Sequence, residues 1–379
     1  MAAPLPWAFL DDGFVPLAAA RISPLDRGFL FGDAVYEALP VYAGRPFELE
    51  RHMARLARSL RELTIAAPCS DAEWQARIEG LIARNGGGDQ LLYLQVSRGA
   101  DLGRDHRFPS GVRPTVFMMC SPHQPPTAAA YAAGVAAITQ PDLRWGRCDV
   151  KSTMLLANVL ARQAAVAAQA GEAILVRDGQ AIEATSSALF IVRAGAVATT
   201  PLSHQVLPSV TRAVLLDLLR AAQVPVAERA IPVDELFAAD ECWLANSSRE
   251  VFPVVRIDGR AVGDGRPGPV WRQAFELFQR HKAESWERPA ACAAPGAGPA
   301  LRFPARFPIK VMGRNAPGFR DAIVALVAQH AGGAPEVGER LSENGNFLAL
   351  TLTIEARSQE QLDALYRELS SHPLVSLAL

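Results

Sequence analysis

The stretch CDVKSTMLLANVL, residues 148–160, puts Lys151 at the end of a short segment, directly before a leucine- and alanine-rich run that reads as a helix over 152–170. The face that follows is apolar, so Lys151 is not an ordinary helix-surface charge. Lysine is also scarce: Lys151, Lys282 and Lys310 are the three in 379 residues, and arginine carries the other positive charges. Alone, Lys151 reads as a loop lysine with a solvated amine. Its neighbours in the sequence change that reading.

Around this segment the chain falls into a body and a tail. The body alternates short strands and helices. Ala34–Val41 reads as a strand, and the run after it as a helix with Leu49, Met53, Leu56 and Leu60 at helical spacing. A second helix covers 71–85, and strands cover 91–99 and 114–120. Pro122, Pro125 and Pro126 mark a crossover into a second lobe. That lobe holds strands at 134–140, 172–177, 181–184 and 188–192, a helix at 210–223 and a closing helix at 269–285; Asp178-Gly179 is a hairpin signal. The expected fold class is α+β, with lobes at 1–120 and 121–286, a Pro/Ala/Gly-rich linker at 287–306 and a small domain at 307–379. The tail reads strand 307–313, helix 317–331, strand 347–356, helix 358–371 and strand 374–379. One strand is compressed near 335–342, and the order suggests a ferredoxin-like α/β sandwich.

A net charge of −1 gives no electrostatic capture of nucleic acid or of a membrane surface. No apolar run approaches the ~20 residues needed to span a bilayer. The five cysteines are scattered without a Cys-x-x-Cys pair, which points to a reducing cytoplasm and to no metal site.

A lysine that forms a Schiff base needs a phosphate cradle, a carboxylate for a ring nitrogen and a trap for a substrate carboxylate. Glu183, in GQAIEATSSALF (179–190), is a candidate for the second; by itself it reads as a solvent-facing strand acid. For phosphate, LPSVTRAVLLDLL (207–219) supplies a helix N-terminus at Ser209–Thr211, and ANSSREVFPV (245–254) supplies Ser247 and Ser248 in a turn. Arg55 adds a cation, although a helix-surface arginine is the simpler reading. For the substrate, SRGADLGRDHRFP (97–109) presents Arg98, Arg104, His106 and Arg107 on a glycine-bearing loop, and a guanidinium fork suits a carboxylate. His52 reads as helix surface.

Taken together, these segments resemble the class IV aminotransferases, the pyridoxal 5′-phosphate (PLP) enzymes of fold type IV, and within them the D-amino acid aminotransferases. The likeness runs over about 21–255, carried in order by RGFLFGDAVYE (27–37), ERHMARL (50–56), DVKSTMLLANVLARQAA (149–165), EAILVRDGQAIEATSSALF (172–190), LPSVTR (207–212) and NSSREVFPV (246–254). The resemblance implies Lys151 as the Schiff-base lysine and catalytic residue, and Glu183 as the partner of the pyridine nitrogen. It implies Leu207 against the cofactor ring, with Arg55, Val210, Thr211 and Ser247 at its phosphate. The R-x-H of GRDHRF implies that Arg104 and His106 hold the substrate α-carboxylate. Phe29 stands where some relatives carry an active-site tyrosine, so it falls on the substrate side and no phenol is expected there. Ala34 and Ala188 replace a glycine and an asparagine usual at those points.

The implied activity is transamination between a D-amino acid and a 2-oxo acid in a cytoplasmic homodimer. An aminodeoxychorismate lyase, another class IV aminotransferase, and a non-catalytic binding protein on the same fold are the competing readings. The tail, through FPIKVMGRNAPGF (307–319) and LYRELSSHPLV (365–375), resembles the YbeD-like domains, whose fold is ACT-like. That likeness implies a fused regulatory or interaction module and no chemistry.

Overall fold

The computed structural model describes residues 3–287, 304–331, 333–341 and 346–358, and from there 361–362, 364–365, 368–369, 372 and 374–378. The expected linker at 287–306 lies, over 288–303, outside the described residues. Two compact units result, Met1–Pro289 and Ala290–Leu379.

The larger unit carries two sheets. The first has six antiparallel strands, in the order Gly13–Pro16, Trp7–Leu10, Thr115–Pro122, Gln90–Ser97, Ala34–Tyr42 and Arg45–Pro46. The helices Leu49–Glu62 and Asp71–Arg84 pack on it. Leu56 and Leu60 of one, and Trp74, Ile78 and Leu81 of the other, enter a core with Leu39, Leu92 and Met118. Ser70 caps the second helix in a reciprocal capping box with Glu73.

The second sheet is mixed and has nine strands. Its middle, Ala188–Arg193, Glu241–Asn246 and Glu250–Ile257, is antiparallel, and Val135–Pro141 joins it in parallel before Glu172–Arg177 and Gln180–Ala184. Trp243 stacks on Phe190 at 4.6 Å in its core, under the helices Val210–Ala221 and Pro269–Glu287. The Asp178-Gly179 hairpin forms with φ of 51° and 74°, as a type I′ turn requires.

The smaller unit is a four-stranded antiparallel sheet ordered Glu336–Leu341, Phe347–Ala356, Ala305–Arg314, Val375–Ala378. In chain order this is 2-3-1-4, the ferredoxin-like arrangement. Helix Phe319–Ala331 packs Phe319, Ile323 and Val327 against Ile309, Val311, Leu350 and Leu352. Of the helix expected over 358–371, the described residues 361–362, 364–365 and 368–369 are helical. The strand that seemed compressed near 335–342 is present as Glu336–Leu341, almost wholly exposed at the sheet edge.

Candidate active site

Lys151 does not lead straight into a helix. Its carbonyl accepts from the Tyr36 amide at 2.9 Å, Ser152 bridges to Val35, and the Thr153 amide donates to the Ala34 carbonyl at 3.0 Å. The segment is strapped along the strand Ala34–Tyr42, and the helix expected from 152 begins only at Leu156. Backbone groups that would have opened the helix are used in the strap instead. Gly32, at φ 67°, makes room for it: a Cβ there would sit 3.1 Å from Met154 Cγ.

This strap puts the lysine amine into a cavity of about 200 Å³ between the two sheets of the larger unit, lined by Tyr36, Arg55, Lys151, Glu183, Leu207 and Ser247 among others. Lys151 Nζ makes no protein hydrogen bond among the described residues; it lies 4.1 Å from the centroid of the Tyr36 ring.

Glu183 is 5% exposed, which overturns the reading of a solvent-facing strand acid. It ion-pairs with Arg144, and the Leu207 amide donates to its two oxygens at 3.4 and 3.3 Å. Burial pushes the Glu183 carboxyl above its usual range, and Arg144 pulls it part of the way back. Arg144 is itself fixed by Asp142, with Nε to Oδ1 and NH2 to Oδ2 both at 2.8 Å.

Arg55 is buried rather than on the helix surface. Glu37 clasps it through Nε and NH2, and its NH1 donates to the Pro208 carbonyl at 3.0 Å. His52 is likewise buried rather than on the helix surface, 1% exposed, and meets Glu37 Oε2 at 2.7 Å. Leu49–Glu62 turns it inward, where the buried carboxylate accepts its ring N–H.

Just past Pro208, Ser209 caps the helix Val210–Ala221 by accepting from the Arg212 amide at 3.2 Å. The side chains of Val210 and Thr211 are buried outside the cavity lining, so what they offer is first-turn backbone N–H groups, free of intrahelical acceptors. Ser247 lies in a turn closed by Asn246 Oδ1, which accepts from the amides of Ser248 and Arg249 at 3.0 and 2.7 Å. Its own hydroxyl has no protein partner among the described residues. Thr185, Ser186 and Ser187 add a row of hydroxyls, backed by Glu172.

Three expected site residues lie elsewhere. Phe29 is 75% exposed and lines a separate groove with Ile22 and Thr153. The aromatic residues lining the cavity are Trp145 and Tyr36, the latter seven positions on in the same motif, so a phenol is available there. Arg104 and His106 are exposed on the loop after Ser97 and do not line the Lys151 cavity of their own chain. The loop leaves the strand at Gly99, whose φ of 105° and 2.0 Å clearance from the Arg113 carbonyl exclude any side chain.

A free amine, a buried carboxylate, the free hydroxyl of Ser247 and the helix start after Ser209 thus meet at one cavity. Residues 34–257 match the family described as Amino-transferase class IV. The chain belongs to the class IV aminotransferases. D-alanine aminotransferase of Bacillus licheniformis is 41% identical over 254 residues, which cover 67% of this chain and 89% of that protein. The D-alanine aminotransferase of Staphylococcus haemolyticus is 35% identical over 274 residues, covering 72% and 96%. Among solved structures, the branched-chain aminotransferase of the thermophilic archaeon Thermoproteus uzoniensis with norvaline superposes with a TM-score of 0.65 at 25% identity, over 73% of this chain and 94% of that one. Residues 299–379 match a second family, described as a protein of unknown function, DUF493.

Class IV aminotransferases are PLP-dependent, and the cavity fits that cofactor. Its amine is unbonded, its carboxylate is fixed by a cation, and among the described residues its phosphate-type donors, the Ser247 hydroxyl and the amides of Val210 and Thr211, have no competing protein partner.

Proposed function

We propose that the protein moves the amino group of D-amino acids, D-alanine among them, onto a 2-oxo acid, with PLP held at Lys151. The observation that carries this reading is the single cavity containing the Lys151 amine, the Glu183 carboxylate and the Ser209 and Ser247 turns. The D-alanine aminotransferases at 41% and 35% identity, and the Arg104-x-His106 pair, support the substrate class.

When bound, PLP supplies a pyridinium ring that withdraws electrons from the substrate α-carbon. The ionised Glu183 carboxylate would accept a hydrogen bond from the ring N–H and keep that proton on the nitrogen. Ser247, Arg55 and the amides of Val210 and Thr211 hold the phosphate, and Leu207 packs on the ring. Lys151 Nζ takes the α-proton and is the general base. Tyr36, against that amine, shields it from water with its ring.

The substrate carboxylate goes to Arg104 and His106. Since these lie outside their own chain's cavity, the working unit in this reading is a homodimer in which the loop of one subunit reaches the other's site. The helix Leu156–Ala167 supports it, with Leu156, Val159 and Leu160 exposed at 73, 58 and 60% at helical spacing. The free cysteines Cys69, Cys120, Cys148 and Cys242 support a cytoplasmic setting.

Purified protein supplied with D-alanine and 2-oxoglutarate should form pyruvate, and with L-alanine should not. Turnover of L-alanine alone, or formation of 4-aminobenzoate from aminodeoxychorismate, would overturn the reading.

A further inference from the structure

Phe31 closes the short helix Arg27–Phe31, and three side chains gather on its ring. Arg27 Cζ lies 4.7 Å and Arg104 Cζ 5.0 Å from its centroid, and the His106 ring meets it edge-on at 5.3 Å. Arg104 makes no hydrogen bond to protein among the described residues, so the ring is what its side chain rests on. Its five N–H donors are left free.

The same short helix also holds the loop backbone. Arg27, 3% exposed, donates to the Asp105 carbonyl at 2.6 Å and the His106 carbonyl at 3.4 Å. Asp33 anchors Arg27 at 2.8 Å and also takes Arg98, the residue that opens the loop, at 2.8 and 3.0 Å. The backbone just after Arg104 is therefore held by hydrogen bonds from an arginine that is itself ion-paired, and the start of the loop by the Arg98–Asp33 ion pair, while the two recognition side chains rest on an aromatic face.

We infer that Phe31 is a positioning residue for carboxylate recognition, orienting Arg104 and His106 so that their donors stay free and pre-aligned; this rests on the reading of that pair as the carboxylate trap. An exposed arginine that must be ordered on binding loses rotamer entropy, and a ring face that orders it beforehand removes part of that cost. The ring acts through the two side chains and touches no reacting atom.

The test compares Phe31→Leu, Phe31→Tyr, Arg104→Ala and the double variant Phe31→Leu/Arg104→Ala in the full-length holoenzyme. Steady-state kinetics on D-alanine are read beside inhibition by propionate, a carboxylate without an amine. Phe31→Leu should raise KM and the propionate inhibition constant together by about five- to tenfold, the size of one or two exposed cation–π contacts. Its kcat and visible cofactor spectrum should stay at wild-type values, and Phe31→Tyr should restore both constants. The double variant should be no worse than Arg104→Ala. If Arg104→Ala raises both constants while Phe31→Leu moves neither, the Phe31 role is wrong and the trap stands. If Arg104→Ala moves neither, the trap itself is wrong and this inference falls with it. Phe31→Met, of similar volume and also without a ring, makes the same comparison if the leucine variant does not fold.

Discussion

Glu37 holds Arg55 by both carboxylate oxygens, Oε1 on Nε at 2.8 Å and Oε2 on NH2 at 2.7 Å, with neither oxygen exposed to solvent. Burial disfavours the Glu37 carboxylate, and the charge and hydrogen bonds of Arg55, with His52, outweigh it and bring its pKa down to about 2 from 4.5. A depressed folded-state pKa adds stability above the unfolded value, and that stability is lost as pH falls through the folded one.

The wild-type melting temperature should therefore drop between pH 4.5 and about 2, with Glu37 accounting for about 3 kcal/mol of the loss. Glu37→Gln should flatten this part of the profile. At neutral pH it should cost about 3–5 kcal/mol, because Arg55 is left buried without its counter-charge. Calorimetry across pH checks both.

Lys151→Ala should remove the visible absorption of the bound cofactor and lower kcat by roughly a thousandfold or more, as expected when one group both anchors and moves the proton. A variant that kept its colour and its turnover would refute the assignment of Lys151.

Glu183 must be ionised to hold a ring proton, so activity should fall as pH drops through its raised pKa. Arg144 is what lowers that value, and Arg144→Gln should move the acid edge of the kcat/KM profile to higher pH. Glu183→Gln should abolish the edge and reduce kcat by about a hundredfold. A pH–rate profile in which Arg144→Gln leaves the edge in place would contradict this role.

Tyr36→Phe keeps the ring beside Lys151 and removes the hydroxyl. It should retain cofactor and lower kcat by about tenfold, whereas Tyr36→Leu, which also removes the ring, should weaken cofactor retention, measured by dialysis and absorbance.

Much of the fold was legible because its signals are local. Leu49, Leu56 and Leu60 repeat at helical spacing, and Asp178-Gly179 supplies the positive φ of a tight hairpin. Glu336–Leu341 escaped because it is an exposed edge strand with no apolar alternation to read. In the site, Lys151, Glu183, Arg55, Leu207 and Ser247 line one cavity, and each sits in a segment with a distinct motif. Tyr36 was missed because a tyrosine within a strand reads as packing, and which face meets the lysine depends on the strap. His52 and Arg144 were hidden for a similar reason: their partners, Glu37 and Glu183, lie 15 and 39 residues away. Helical or strand periodicity carries no information about such pairings.

The strap of Lys151 on the strand Ala34–Tyr42 has a mechanical consequence. The lysine's backbone is bonded to the smaller sheet, while Glu183 belongs to the larger one. Swinging the two sheets apart would tear the anchor away from the carboxylate and undo the arrangement that a reaction needs. The enzyme is thus built as a fixed jaw, and traffic in and out falls to the loops around its rim.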